Sequence, residues 1–107
     1  MQVNIIVNLF YEATHKWPDC NLDEVSFLKN EHRHIFHITA HKEVNHTNRE
    51  TEIILFKRNI LNYLNSVYRN NFGGMSCEDI AIKLLNEFSL SKCVVLEDGE
   101  NGAEVYL

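Results

Sequence analysis

Proline is nearly missing from this chain of 107 residues; the only one is Pro18. Cysteine is scarce too. Cys20, Cys77 and Cys93 make an odd count without any C-x-x-C pair. That spacing excludes a cysteine-rich zinc finger and offers no disulfide framework, so reduced thiols in a cytoplasm are the simple reading. Positive charge is in deficit, with 10 Lys and Arg against 15 Asp and Glu and a net charge of −5. A general nucleic-acid binder would carry a basic face, which this composition does not supply. No apolar run approaches the roughly 18 residues of a membrane-spanning helix. The opening "MQVNIIVNLFYEATHKW" has no basic start and no small-residue cleavage site, so it does not read as a signal peptide.

What is present is enough for a core. Hydrophobic residues are 45% of the chain, which with so little proline argues against disorder. The length suits one domain spanning residues 1–107, without repeat or linker. Residues 2–11 read as a first strand. A polar segment containing Pro18 runs to about Asn30, long for a loop and therefore of functional interest. Residues 33–43 alternate apolar and polar and predict a second strand. From about Glu52 to Arg69 the period changes. Ile53, Phe56, Ile60, Leu64 and Val67 recur at spacings of three and four, one face of a helix. Gly73 and Gly74 end it. Ser76 is an N-cap, with Asp79 as an imperfect capping-box partner, and Ile80, Ala81, Leu84, Leu85 and Phe88 line the inner face of a second helix. "KCVVLE", "DGENG" and "AEVYL" spell a hairpin. The order β-β-α-α-β-β predicts an α+β fold, a four-stranded antiparallel sheet with two helices on one face.

Six histidines are many for this length. His32 and His34 in "EHRHIF" are two apart, so in a strand they share a face at about 6–7 Å. His15 ends the first strand segment and comes near them if the two strands pair. Three neutral imidazoles with an open fourth position would make a catalytic type of zinc site. Taken alone, an isolated H-x-H in a strand is more often a pair of ordinary surface or hydrogen-bonded histidines than a metal pair. His37 and His41 fall on the opposite strand face, where exposure is expected, and His46 falls in a turn.

Four short stretches resemble one family in the right order. "YEATHKW" looks like the F-x-A-x-H-x-L segment of the 6-pyruvoyl-tetrahydropterin and 6-carboxytetrahydropterin synthases. "EHRHIF" looks like their H-G-H-x-F/Y, with Arg33 where glycine is usual. "MSCEDIAIKLLNEF" resembles their P-T-S-E-N-x-A helix start, and "VVLEDGENGAEVYL" their terminal V-x-E-T…A-x-Y hairpin. The resemblance implies the tunnelling fold (T-fold). It implies Zn²⁺ on His15, His32 and His34, and a dihydroneopterin-type pterin substrate anchored by Glu97. Glu78 would assist there, or simply suit the helix start. Lyase-type chemistry feeding tetrahydropterin or queuosine-type deazapurine synthesis would follow. So would a homo-oligomer with sites between subunits, a small-molecule partner, and neither nucleic acid nor membrane.

The chain departs from that pattern twice. Leu28 stands at the position of the family's catalytic cysteine, which leaves Cys20, Glu24 or Glu31 as candidate bases. "NSVYRNNFGG" replaces the Asp-His relay pair. A protein that keeps the zinc site but binds a pterin, purine or nucleotide-like ligand without turnover is the alternative expectation.

Overall fold

The computed structural model describes residues 1–107. Its strands are β1 (Val3–His15), β2 (His32–Val44), β3 (Lys92–Glu97) and β4 (Asn101–Tyr106). Its helices are α1 (Ile53–Val67) and α2 (Cys77–Phe88). The four strands form one open antiparallel sheet in the order β1-β2-β3-β4. Fold class and element order are therefore those that the hydrophobic periods predict.

Alternation decides which side of the sheet is covered. Val7, Leu9, Tyr11 and Ala13 of β1 are buried, as are Phe36, Ile38 and Ala40 of β2 and Cys93 and Val95 of β3. Phe56, Ile60 and Leu64 of α1 and Ile80, Ala81 and Leu84 of α2 complete this core. Each strand residue in the set faces the helices because side chains alternate with a period of two. Ile53 and Val67, the ends of the predicted α1 stripe, are about half exposed, at 50% and 52%. They lie in the first and last turns, outside the stretch that meets the core.

Both long strands outrun their predicted ends. β1 continues through "EATH" to His15, four residues further than expected, and every residue from Val3 to His15 pairs with β2. The extension is held from the far side by the segment after α1. Thr14 N–H donates to Asn70 O at 3.0 Å, Phe72 N–H to Thr14 O at 2.8 Å, and Lys16 N–H to Gly73 O at 2.9 Å. Tyr11 Oη, buried, donates to Leu64 O and accepts from Asn70 N–H. "NNFGG" thus acts as a clamp on the end of β1. The polar segment after β1, read as loop, contains a short 3₁₀ stretch, Asp23–Lys29.

The α2 start matches the sequence reading. Ser76 Oγ accepts from Asp79 N–H, and the Asp79 carboxylate accepts from Ser76 N–H, each at 3.1 Å. Aspartate therefore closes the capping box here in place of the usual glutamate.

Candidate metal centre

In the β1–β2 register His15 lies directly opposite His32, and Ala13 opposite His34. Directly opposed residues point to the same face, so all three imidazoles gather at one end of the helix-covered side. Ring centroids are 4.5 Å apart for His15 and His32, 5.2 Å for His15 and His34, and 5.1 Å for His32 and His34. One nitrogen from each ring lies within 4.8 Å of the others. Phe36, fully buried, packs edge-on beneath His15 and His34 and closes the floor.

The other ring nitrogens say which atoms converge. His15 Nδ1–H donates to Met75 O at 3.0 Å, and His32 Nδ1–H to Asn30 O at 2.8 Å. His34 Nδ1–H donates to the Asp98 carboxylate at 2.7 Å. Carbonyls and carboxylates only accept, so each contact puts a proton on Nδ1, and in the neutral ring that leaves Nε2 with a lone pair. The Nε2 atoms of His15 and His34 are buried without a hydrogen-bond partner. Unpaired polar atoms in such a position are costly unless something else satisfies them. A cation does. Metal–nitrogen bonds of about 2.0–2.1 Å need each ring to move inward by under roughly 1 Å. The donor set therefore fits a divalent metal, and neutral imidazoles suit several transition ions.

Two neighbouring acids strengthen the preference for positive charge. The Glu97 carboxylate lies 3.0 Å from His15 Nε2 and 3.6 Å from His34 Nε2. Asp98 accepts from Ile35 N–H at 2.9 Å as well as from His34. Those two hydrogen bonds, the backbone one first, hold its carboxyl below the usual aspartate range.

Beside the histidines opens a cavity of about 740 Å³, lined by His15, His32, Glu97, Cys77, Glu78 and Asp79 among others. Four acids in its lining, Asp19, Glu78, Asp79 and Glu97, against one lysine, Lys16, make it acidic, suited to a ligand that presents N–H donors. Cys77 is buried at the first position of α2. Its thiol is pushed up to about 12 by burial, then by the charges of Glu97 and Glu78 and a hydrogen bond with Glu97. It stays protonated at neutral pH.

The remaining predicted residues lie elsewhere. Cys20 is buried, its thiol directed at the carbonyls of Leu22 and Val25 at 3.9 and 3.7 Å, and it does not line the cavity. The 3₁₀ stretch folds the segment around it and turns the sulfur inward. Glu31 accepts from Thr14 Oγ1 at 2.7 Å. Thr14 alternates with His15, so that contact draws the Glu31 carboxylate to the opposite face of the sheet from the imidazoles. Glu24 is exposed on the 3₁₀ stretch. His37 and His41 are on the opposite face as expected but half-buried, His37 against Phe10 with ring centroids at 4.6 Å.

Sequence reasoning missed Cys77 and Asp98. Cys77 had a signal, since it directly follows the Ser76 cap and so enters the first turn of α2. Asp98 had none, because its role depends on a hairpin turn folding back onto β2. No protein-family model matches the chain, and no curated protein matches it either.

Proposed function

We propose that the chain is a divergent T-fold protein of the 6-pyruvoyl/6-carboxytetrahydropterin synthase type. It holds Zn²⁺ on His15, His32 and His34 and takes a pterin-like ring in the adjoining cavity. The observation that carries this reading is the convergence of one nitrogen from each of three imidazoles within 4.8 Å beside an acidic cavity, with all three Nδ1 atoms already hydrogen-bonded. When bound, the metal would supply Lewis-acid polarisation of a ligand oxygen.

The chain's own residues do the rest. Glu97 borders both the imidazoles and the cavity. Its two oxygens can accept from a ring N–H and an exocyclic NH₂ together, a paired charge-assisted contact. The protonated Cys77 thiol steadies that carboxylate. Glu78 and Asp79 add negative charge at the cavity wall. Lyase-type chemistry on a dihydroneopterin side chain is the reading that the family resemblance favours.

A specific observation favours binding without turnover. Cys20 and Glu31 face away from the imidazoles, and Cys77 is held as a neutral thiol. Loss of a positioned base costs proton abstraction about 10²–10⁴-fold. Titration of the zinc-loaded protein with dihydroneopterin triphosphate, with product analysis, separates the two. Consumption supports the lyase; saturable binding of intact ligand supports the binder. In either case Glu97→Gln should weaken binding at least tenfold. Unchanged affinity in that variant would remove the ring anchor, and no binding by the wild type would remove the pterin reading.

A further inference from the structure

Asp98 lies in the turn of the β3–β4 hairpin, which folds back onto β2, and both of its oxygens are committed. Oδ2 accepts from His34 Nδ1–H at 2.7 Å and Oδ1 from Ile35 N–H at 2.9 Å. Asp98 N–H in turn donates to Ile35 O at 2.8 Å. The backbone is left-handed at this residue, with φ of 55°. Three hydrogen bonds thus fix the carboxylate relative to β2, and it reaches a ring nitrogen on the side away from the converging Nε2 atoms.

We propose that Asp98 is a positioning residue that locks His34 in the one tautomer able to ligate. His15 and His32 are oriented by backbone carbonyls, which no substitution of their own side chains' partners can alter. His34 alone depends on a side chain, so its tautomer is open to mutation. A carboxylate offers only acceptors, so in the neutral ring Nδ1 must carry the proton and Nε2 must present its lone pair. Carboxylate–histidine–metal arrangements of this kind commonly change metal affinity by about 10–100-fold when the outer acid is lost. The inference rests on the metal reading of the three histidines.

Asparagine at this position separates tautomer control from mere support. Ile35 N–H can only donate, so the amide oxygen must face it. The amide NH₂ then faces His34 Nδ1, which can satisfy it only by accepting, and the ring proton moves to Nε2. That atom can no longer bind a metal without losing its proton. Asparagine also tolerates a left-handed backbone, whereas alanine loses both acceptors and fits that backbone less readily. A purely structural role therefore ranks Asp98→Ala as the more damaging change. Tautomer control ranks Asp98→Asn as the more damaging change for metal affinity.

The test is Zn²⁺ affinity of wild type, Asp98→Ala and Asp98→Asn, measured by competition with a chromophoric chelator, alongside imidazole ¹⁵N NMR of the metal-free proteins with the rings neutral. The expected result is Zn²⁺ binding at least tenfold weaker in Asp98→Asn than in wild type, and weaker than in Asp98→Ala. The His34 proton should sit on Nδ1 in wild type and on Nε2 in Asp98→Asn. Wild-type affinity in Asp98→Asn, or tighter binding there than in Asp98→Ala, would overturn the proposal. If wild type itself binds no Zn²⁺, the metal reading falls. The NMR then decides the lock alone, with a tautomer change in Asp98→Asn upholding it and an unchanged tautomer refuting it.

Discussion

At the residue scale, His15, His32 and His34 are joined less by their spacing than by what their Nδ1 atoms touch. Met75 O, Asn30 O and Asp98 come from three different segments, yet each leaves the same nitrogen free. The H-x-H pair was legible from a local period of two, and His15 only on the condition that the two strands pair, because it meets His32 through a register set thirteen pairs long. The cysteines show the reverse difficulty. Residue type made Cys20 a candidate base, but reactivity also needs exposure, and Cys20 is buried. All three thiols are buried, and Cys77 and Cys93 are both pushed up to about 12, chiefly by desolvation. Because these two pKa values are raised in the fold, Cys77 and Cys93 stay protonated at pH 8 while an unfolded thiol has begun to ionise. An aromatic disulfide reagent at pH 8 should therefore label the native protein far more slowly than the denatured protein, by at least about tenfold. Equal rates would mean that the thiols are not enclosed as described.

At the element scale, the hairpin is the part most exposed to a single change. Gly102 pairs with Leu96 across β3 and β4, and a Cβ there would fall 1.8 Å from Val95 O. The obstacle is backbone, so it cannot rotate aside. Gly102→Ala should cost about 1–3 kcal/mol, the range for overpacking. It should also weaken metal binding, since the same hairpin carries Glu97 and Asp98. Urea unfolding measures the first effect, and an unchanged midpoint would contradict the close approach. The helices were the most readable elements, because Phe56, Ile60 and Leu64, and Ile80, Ala81 and Leu84, repeat within single turns. The clamp formed by Asn70 to Gly73 was not readable. Its bonds to Thr14 and Lys16 are backbone to backbone, which leave no mark on side-chain identity. The same segment replaces the relay pair in the resemblance, and here it serves to extend β1 until His15 reaches the other two imidazoles.

At the scale of the whole molecule, the sheet is long and only half covered. The extents are 51 × 27 × 20 Å, and the radius of gyration of 14.9 Å exceeds the about 13 Å of a compact chain this size. Only 21 of 107 residues are buried, and Ile6, Phe10 and Ile35 stand at 51%, 66% and 40% exposure on the uncovered face. β1, thirteen residues long, pairs with no other strand along one edge, which only the Asn70–Gly73 clamp meets, near Thr14. Such an edge invites another strand, and together these features suit the homo-oligomer that the resemblance implies. Light scattering during size-exclusion chromatography should give a mass of several times 12.5 kDa, lowered by Phe10→Arg. A mass of one chain would contradict assembly through this face. No helix is long and apolar enough to cross a membrane. The central claim is that His15, His32 and His34 form a metal centre, and elemental analysis of the purified protein beside His34→Ala tests it most directly. The account predicts about one divalent metal ion per chain in wild type and loss of it in the variant, with both proteins folded. Metal-free wild type that also fails to take up added Zn²⁺, or equal content in the two proteins, would contradict it.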